Sequence, residues 1–479
     1  MTSASPAGIS RELAERIAAF RARDLPPDVV ADAKLYLLDT IGAMLVASAP
    51  RYPASRIVMR FAREQGGAPE STLVGQGTRA SCVNAALANA TLAYYCDVEP
   101  HHVGAILHGL AVVAPTSLAV AEREASDGRR FLASTALGVD VAARVSYALD
   151  PVALYNRGFH PSAVAGAFGA AAAAGYLLRL PPERQAIALG LATQQASGLL
   201  AWANDPTEHS RPLNPGLAAR NGTTAACLAG LGFGGPPAPF EGKYDVFTAF
   251  SGCANPDALR AGWGERFHLS ECAYKLYSSC AFTHPGLDAL LGLARDEQLT
   301  AAQVERIVLR FPKNGAHMID DNPLKSHCAQ YVLPVGLVFG RVIIDDILLD
   351  RARHPDVARL SRGMRLVHDP DLDAHYPERY TSIVELHLKD GRTLSRRADH
   401  AKGTRENPLT PDEVRAKYLR LTALVMARTR AEAIMAAVDG VEKASDLSRL
   451  AALLRPNIGQ PLRSARRSRR PPARSTRAR

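Results

Sequence analysis

Residues 6–250 carry apolar side chains at helical spacing, in segments that glycine- or proline-containing turns separate. One segment opens with Pro26 and Pro27, which suit a helix start. The same spacing recurs in CVNAALANATLAYY, GLAVVAPTSLAVAEREA, RRFLASTALGVDVAARVSYAL, PERQAIALGLATQQASG and LAARNGTTAACLAGLGF. Because these helices are too apolar to stand alone in water, we expect them to bury one another in a bundle.

The run from Ala163 to Leu178 has no charged residue and consists mostly of alanine and glycine. A membrane-spanning helix needs about 20 strongly apolar residues, and this run is shorter and only weakly apolar. Alanine favours the helix, and small side chains let neighbouring backbones come close. The pattern therefore predicts a tightly packed helix of a soluble protein, with Pro161 in its first turn.

Beyond about residue 270 the apolar positions alternate, as they do in half-buried strands. The stretch VERIVLRFP, at 304–312, predicts one strand. The stretch SIVELHLKDGRTLSRRAD predicts a hairpin with a two-residue Asp-Gly turn at 390–391. Helical spacing returns after a Thr-Pro-Asp-Glu capping box at 410–413.

These changes of period predict a mainly α protein with an α+β lid, in which a large all-helical domain is interrupted by a smaller α/β domain. The first part of the helical domain is expected at 1–269, and the inserted lid at 270–404. A helical return segment follows at 405–457, and a disordered, arginine-rich tail at 458–479.

The composition, 47% hydrophobic and 22% charged, is that of an ordinary globular protein. Eight arginines after residue 462 supply most of the net charge of +10, and subtracting them leaves +2. The body of the chain also lacks a basic patch with interleaved aromatic residues, so we expect no specific nucleic-acid binding, although the tail could attract polyanions.

The seven cysteines are odd in number and form no CxxC pair, which is untypical of a disulfide framework or a structural zinc site. The polar N-terminal residues lack the apolar core of a signal peptide. No segment has the length and apolarity of a membrane span. We therefore expect a cytoplasmic protein.

His160 stands just before the small-residue run, at the expected start of a helix. The free N–H groups and the dipole at such a start favour an anion over a protonated imidazole. A neutral histidine beside an anion site suits acid–base catalysis. On position alone, however, a capping or loop histidine is the commoner role.

The densest group of titratable residues lies between residues 94 and 115, in a loop before a helix. It contains Asp97, Glu99, His101, His102 and His108. These side chains could bind a metal ion, could bind and deprotonate an acidic substrate, or could belong to a surface loop without function. Because neither HExxH nor another strong metal-ligand spacing is present, we predict no metal site.

Two further groups could contact a substrate. Arg211 lies in a proline- and asparagine-rich turn before a helix that we expect to begin near Pro215. Its planar fork suits a carboxylate, although a lone arginine more often forms a surface salt bridge. The third group lies at the junction of the predicted domains, a preferred place for a site, and contains Lys275, Tyr277, Cys280 and His284. Cys280 lacks a local nucleophile signature, so we predict that it lines the pocket.

The order of several stretches resembles the MmgE/PrpD family of dehydratases, decarboxylases and epimerases. They are LYLLDTIGAMLVAS, LHGLAVVAPTSLAVAE, GFHPSAVAGAFGAAAAAGYLL, ATQQASGL, GLAARNGTTAACLAGLGFGGP, YKLYSSCAFTHPGLDAL and ENPLTPDEV. They extend from about residue 30 to about residue 425, and their succession is specific although no single stretch is decisive. The resemblance implies a helical domain with a smaller α/β lid, a cleft between them, usually a homodimer, and no metal or organic cofactor.

The resemblance also implies roles for individual residues. It matches the family's catalytic positions to Asp97, His108 and His160, and positions near the substrate to His101, Arg211 and Lys275. The sequence departs from the family pattern at Gly109 (usually proline), Arg211 (usually lysine), Asn214 (usually histidine), Ser278 (usually proline) and Val335 (a tyrosine in the decarboxylase). Arginine keeps the charge of lysine but not its geometry, and valine removes a proton donor. We therefore expect a carboxylate substrate different from those of the best-known members.

Together these features predict a cofactor-independent lyase or isomerase that transfers a proton α to a carboxylate of a small di- or tricarboxylate. His160 and His108 would form the acid–base pair, and Asp97 would orient a histidine. Arg211 and Lys275 would hold carboxylates and stabilise enediolate-like charge, while the lid excludes water. The alternative is a catalytically altered member that binds a metabolite or serves as an interaction protein. Convergence of Asp97, His108, His160 and Lys275 on one cleft would favour the enzyme.

Overall fold

The computed structural model describes residues 8–349 and 351–456. It is 58% helical with a few small sheets, which confirms the predicted mainly α fold with a smaller α/β part. No helix among these residues is long and apolar enough to span a bilayer. The arginine-rich tail predicted at 458–479 lies outside the described residues.

The helices of the first 250 residues form one packed assembly. They are α1 (Ile9–Ala19), α2 (Pro27–Ala47), α3 (Pro53–Glu64), α4 (Cys82–Tyr95), α5 (Gly109–Arg123), α6 (Gly128–Ala148), α7 (Pro151–Asn156), α8 (Pro161–Leu177), α9 (Pro182–Thr193), α10 (Ser210–Gly230) and α11 (Val246–Phe250). Helix α8 is the centre of this assembly, because α5, α6, α9 and α10 all pack against it.

Every residue of α8 is buried, as the small-residue run predicts. A methyl group added to Gly169 of α8 would lie 2.5 Å from the carbonyl oxygen of Gly138 in α6. A methyl group at Gly222 of α10 would overlap the carbonyl oxygen of Ala167 on α8. The glycines and alanines therefore allow three helix backbones to touch, and they fix the start of α8 relative to its neighbours.

Short strands occur where the apolar pattern predicts helices and turns alone. Strand β1 (Ser71–Leu73) pairs with β2 (Thr78–Ala80), and β3 (His101–His102) pairs with β4 (Cys272–Ala273), both in antiparallel register. Two or three residues are too few to show alternation, so the sequence pattern gave no sign of them. The β3–β4 pair joins the loop before α5 to the start of the predicted lid.

The largest sheet lies within the segment predicted as the lid. Its strands are β5 (Val304–Pro312), β6 (Arg365–Asp369), β7 (Ser382–Leu388) and β8 (Thr393–Ala398), in the order β6-β5-β7-β8, with only the β5–β6 pair parallel. The helices of this segment are α12 (His284–Asp296), α13 (Lys313–Ala316), α14 (Ala329–Phe339), α15 (Ile344–Leu348) and α16 (Pro355–Gly363).

The predicted hairpin is present as β7 and β8, but its turn is longer than two residues. The N–H of Leu388 donates to the Arg392 carbonyl over 2.8 Å, so three residues form the loop. Gly391 takes a φ of +89° there. This is the three-residue turn in which a left-handed glycine follows a type I turn.

The chain then returns to helix with α17 (Pro411–Thr422), α18 (Arg428–Asp439) and α19 (Ser448–Leu453). The predicted capping box is confirmed, since Thr410 and Glu413 bond each other's backbone. Lys417 of α17 donates to Asp39 of α2 over 2.7 Å and to the Val98 carbonyl over 2.6 Å. The return segment thus packs on the first helices and holds the loop after α4, while the residue limits of the domains remain a prediction.

Candidate active site

Two helix starts meet at the centre of the molecule. His108 precedes the first residue of α5 and His160 precedes that of α8. The His108 N–H donates to Ser162 Oγ over 2.9 Å, which ties the two starts together. The two imidazole rings are 6.3 Å apart between centroids. Neither side chain makes a capping hydrogen bond, so the structure gives His160 no capping role.

Asp97 follows α4 and forms a buried ion pair with Lys275. The Lys275 Nζ donates to Asp97 Oδ1, and Arg211 Nη1 lies 3.6 Å from the same oxygen. These three side chains are at most 2% exposed. Burial by itself would raise the pKa of Asp97, but the Lys275 ammonium and the Arg211 guanidinium outweigh it and hold that pKa below its usual range. Asp97 is therefore a carboxylate at neutral pH.

Arg211 lies in the first turn of α10, next to Asp97. Its guanidinium donates to the carbonyl oxygens of Tyr94 and Tyr95 over 3.1 and 3.0 Å. The prediction that this helix begins near Pro215 is wrong, because α10 begins at Ser210. The helix continues through Pro215 because the packing of α10 on α4 and α8 stabilises it by more than the loss of one backbone hydrogen bond at Pro215 costs. Arg211 does not line the cavity described next, so its contact with a substrate stays a prediction.

The other six predicted site residues line a single cavity: Asp97, His101, His108, His160, Lys275 and Cys280. The cavity has a volume of about 30 Å³, which is room for one or two water molecules. Within the third sequence cluster, Tyr277 and His284 bond elsewhere, to Asp288 over 2.7 Å and to the Ser279 carbonyl over 3.2 Å. Sequence reasoning did not select five aromatic residues of the cavity wall, Tyr94, Tyr155, Trp202, Phe282 and Tyr380, or His327.

The cavity histidines are neutral. Burial lowers the pKa of His101, His108 and His160 well below the usual value, and that of His327 to about 3. Both ring nitrogens of His101, Nδ1 of His160 and the Trp202 Nε1–H have no hydrogen-bond partner within the described part of the chain. Because buried polar atoms are almost always paired, a polar ligand or water in the cavity would satisfy these atoms.

Glu99 is fully buried beside His108. Its Oε1 lies 2.5 Å from His108 Nδ1, while its Oε2 has no hydrogen-bond partner among the described residues. Burial raises the pKa of Glu99 to about 8, although Lys275 opposes this shift. A protonated Glu99 donates to Nδ1, and the neutral imidazole then carries its own proton on Nε2. His108 therefore offers an N–H donor to the cavity at neutral pH.

His327 carries its proton on the other ring nitrogen, Nδ1. Glu208 accepts from the Ser326 N–H over 3.1 Å and from Ser326 Oγ over 3.0 Å. Since the single Ser326 hydroxyl proton goes to Glu208, its oxygen accepts from His327 Nδ1, which lies 2.9 Å away. His327 Nε2 is then unprotonated and can accept a proton. Glu208, which precedes α10, and Ser326, in the predicted lid segment, thus set the tautomer of a cavity histidine.

Cys280 is a thiol at neutral pH, because burial raises its pKa to about 12. It is 8% exposed, and its backbone N–H donates to the Ser326 carbonyl over 2.8 Å. A protonated thiol is a poor nucleophile. The environment of Cys280 thus agrees with a residue that lines a pocket rather than one that attacks a substrate.

Two groups of side chains have ligand atoms close enough to share a metal ion. Asp97, Glu99 and His108 form one, and His102, His268 and Glu271 form the other. In the first, the Lys275 ammonium occupies Asp97 and repels a cation. In the second, Glu271 already accepts from both histidines and from Arg266. The side chains of both groups are thus already engaged in hydrogen bonds and ion pairs within the protein. That the protein requires no metal ion stays a prediction.

The sequence matches the MmgE/PrpD N-terminal domain over residues 11–258 and the MmgE/PrpD C-terminal domain over residues 277–443. The chain belongs to the MmgE/PrpD family. Two relatives of this MmgE/PrpD protein match over almost the whole chain. The cis-aconitate decarboxylase of Aspergillus terreus is 26% identical over 96% of this chain and 98% of its own length. The cis-aconitate decarboxylase of Mus musculus is 25% identical over 93% of each chain.

A third relative, the mitochondrial 2-methylcitrate dehydratase of Yarrowia lipolytica, is 26% identical over 46% of this MmgE/PrpD chain and 45% of its own length. The positions at which this member departs from the family pattern lie outside the cavity. Asn214 donates to the Leu199 carbonyl over 3.2 Å, and Val335 is fully buried within α14. The cavity has tyrosines from other elements, Tyr94, Tyr155 and Tyr380.

Proposed function

We propose that the protein is a lyase or isomerase that acts without a cofactor on a small di- or tricarboxylate, by proton transfer at the carbon α to a carboxylate. The observation that carries this proposal is the convergence of His101, His108, His160 and His327 on one buried cavity beside the Asp97–Lys275 ion pair. Neutral histidines are proton acceptors and donors, and the cation supplies charge for an anionic substrate. The names of two relatives, cis-aconitate decarboxylase and 2-methylcitrate dehydratase, refer to reactions of carboxylates, which agrees with this proposal.

The geometry supports a division of roles within this cavity. His160 would take the α proton, and His108 would give a proton from Nε2 to the leaving group or to the opposite face of the substrate. Lys275 has further N–H groups beside the one that Asp97 accepts, and these would stabilise the enediolate-like charge on the substrate carboxylate. His101 and Cys280 would contact the bound substrate, and His327 would supply a second proton acceptor. Arg211 would keep Asp97 ionised and in place.

The inner cavity is too small for a tricarboxylate, so substrate binding requires its wall to move. A larger cavity of about 170 Å³ adjoins it and shares His101, Ala281 and Tyr380. Its lining contains three arginines, Arg266, Arg379 and Arg405, and four carboxylates, Glu271, Glu378, Asp399 and Glu406. Individual arginines, rather than an excess of positive charge, would therefore contact an anion. Ala281 and Tyr380 belong to the predicted lid, so we propose that movement of this segment joins the two cavities.

The proposal also covers the location of the protein and its oligomeric state. Seven free cysteines suit the reducing conditions of the cytoplasm. The family resemblance favours a homodimer, for which exposed apolar side chains would supply contact area. Those between residues 199 and 244 are Leu199, Leu213, Leu231, Phe233 and Tyr244.

The test is a panel of hydroxy- and unsaturated di- and tricarboxylates, incubated with the protein in D₂O and followed by proton NMR. We expect one member to be converted, with deuterium incorporated α to a carboxylate, at a rate that a chelator leaves unchanged. Binding of panel members without conversion or exchange would instead support the alternative, a catalytically altered member that binds a metabolite. Loss of activity on chelation, restored by one divalent ion, would contradict the absence of a metal.

The variant Glu99→Gln is expected to keep kcat within a few fold near pH 7, because the amide can donate to His108 Nδ1 as a protonated carboxyl does. Above about pH 8 the wild-type rate should fall as Glu99 ionises, whereas the rate of the variant should not. The control variant Glu99→Ala cannot donate and should be impaired at every pH. If Glu99→Gln is as impaired as Glu99→Ala at pH 7, Glu99 acts as a carboxylate.

The same variant should also change the pH dependence of stability. An unfolded glutamate ionises near pH 4.3, whereas burial raises the pKa of folded Glu99 to about 8. The unfolded state therefore releases its proton first, and the wild-type protein loses stability as the pH rises between these values. Glutamine removes this loss, so the thermal midpoint of the variant should gain on that of the wild type from pH 4 to pH 8.

A further inference from the structure

Two cysteines lie together at the end of the helix pair α4 and α10 that is remote from the cavity. Cys82 is the first residue of α4, and Cys227 lies in the last turn of α10. Arg123, the last residue of α5, donates from one nitrogen, Nη1, to Cys227 Sγ over 3.2 Å and to Cys82 Sγ over 3.6 Å. Since both sulfur atoms contact one nitrogen, they lie next to each other. Three side chains from three helices thus place two sulfur atoms at one cation.

The two sulfur atoms differ in their surroundings. Cys82 is 2% exposed, whereas Cys227 is only half-buried and reachable from solvent. The neighbouring Cys82 thiol and the charge of Arg123 lower the pKa of Cys227 to about 7. The hydrogen bond with Cys227, together with burial, raises the pKa of Cys82 far above its usual value. Cys227 is thus the thiolate of the pair and Cys82 is the thiol.

We propose that Cys82 and Cys227 form a peroxide-sensitive dithiol that closes to an intramolecular disulfide. In the first step, the Cys227 thiolate attacks one oxygen of hydrogen peroxide, the O–O bond breaks, hydroxide leaves, and Cys227 becomes a sulfenic acid. Oxidation removes the Cys227 thiolate that raised the pKa of Cys82, while Arg123 still lowers that pKa. In the second step, Cys82 loses its proton and its sulfur attacks the Cys227 sulfur as the S–O bond breaks. The proton of Cys82 leaves with that oxygen as water. The proton released when Cys227 ionises neutralises the hydroxide, so the net reaction converts two thiols and one hydrogen peroxide into one disulfide and two water molecules.

The other five cysteines lack this arrangement. Burial raises the pKa of Cys96, Cys272, Cys280 and Cys328, and a hydrogen bond to Asp150 raises that of the exposed Cys253. Oxidation by peroxide follows thiolate character and access. The first oxidation event should therefore occur at Cys227, with Cys82 placed to resolve it.

The disulfide would connect two helices that lead to the proposed active site. The loop after α4 carries Asp97, and the first turn of α10 carries Arg211. Both residues lie roughly 20 Å along the helices from the cysteines, at 1.5 Å rise per residue. The bond would close a long loop of chain and should therefore raise the thermal midpoint of the oxidised protein.

The experiment treats the full-length, fully reduced protein with stoichiometric hydrogen peroxide at pH 7 and maps its peptides without reduction. We expect the intact mass to fall by two hydrogens, one linked pair of peptides that contain Cys82 and Cys227, and reversal by dithiothreitol. Cys253→Ser, the control at the exposed cysteine, should react like the wild type. Arg123→Leu should slow disulfide formation several-fold, because the loss of the Arg123 charge raises the pKa of Cys227 and less thiolate is present at pH 7.

The proposal fails if Cys227 accumulates as a sulfenic or sulfinic acid without a link to Cys82, which would show that the sulfur atoms cannot reach each other. It also fails if Cys253 oxidises first, or if Cys82 links to another cysteine. None of these results depends on knowing the substrate of the protein, so they test the dithiol separately from the proposed activity.

Discussion

Replacing His160 with alanine is expected to lower kcat by about 10²–10⁴-fold, while the protein remains folded. The imidazole is 3% exposed, lines the inner cavity, and leaves Nδ1 without a partner among the described residues. It makes no capping bond to α8, so its removal costs that helix no hydrogen bond. The measurement is kcat on the substrate that the carboxylate panel identifies, together with the thermal midpoint.

A matched control exists at His354, which also precedes a helix that begins with proline and also makes no capping bond. His354 lies against Phe339 and not at the cavity. His354→Ala should keep full activity. If His160→Ala behaves in the same way, with a lowered midpoint and unchanged turnover, His160 has only a packing role and the proposed mechanism loses its central residue.

Replacing Asp97 with asparagine is expected to reduce the free energy of unfolding by about 3–5 kcal/mol at pH 7, the usual effect of removing one partner from a buried ion pair. Lys275 and Arg211, each 1% exposed, would lose the carboxylate that both approach. Urea unfolding followed by circular dichroism measures the difference. Glu64→Gln is the control, because the Arg60–Glu64 pair is exposed and screened by solvent, so its loss should hardly change the free energy of unfolding.

The effect of Asp97→Asn should depend on pH with a definite sign. The cations hold the pKa of folded Asp97 below that of an unfolded aspartate, near 3.9. The stability that Asp97 contributes is therefore complete above about pH 5 and is lost as the pH falls through the folded pKa. The gap between variant and wild type should be constant from pH 7 to pH 5 and should narrow below pH 4. A gap that widens at low pH would contradict an ionised Asp97.

Long, strongly periodic segments were predictable from the sequence, because their pattern repeats over many residues. The small-residue run became α8, with its start at Pro161, and the alternating stretches became β5, β7 and β8. Short features were not predictable. Strands of two or three residues carry no period, and the start of α10 at Ser210 depends on its packing against α4 and α8.

The candidate site was predictable only where residues are near one another in sequence or match a family position. Glu99 stood in the densest titratable cluster, but its partnership with His108 depends on the fold of the loop. His327 and Ser326 lie in the predicted lid, more than a hundred residues from Glu208, which sets their hydrogen bonds. No spacing rule connects such positions. A histidine within the stretch KSHCAQY was the one available signal, and it is a weak one.

The close contact of α6, α8 and α10 has a consequence for engineering this enzyme. At Gly138, Gly169 and Gly222 there is no space for one methyl group, so libraries that vary this helix interface will consist mostly of unstable proteins. New substrate preferences are better sought outside this interface, at Ala281 and Tyr380, which line both cavities. The same helices that fix the acid–base groups thereby leave the evolution of specificity to residues outside their contact.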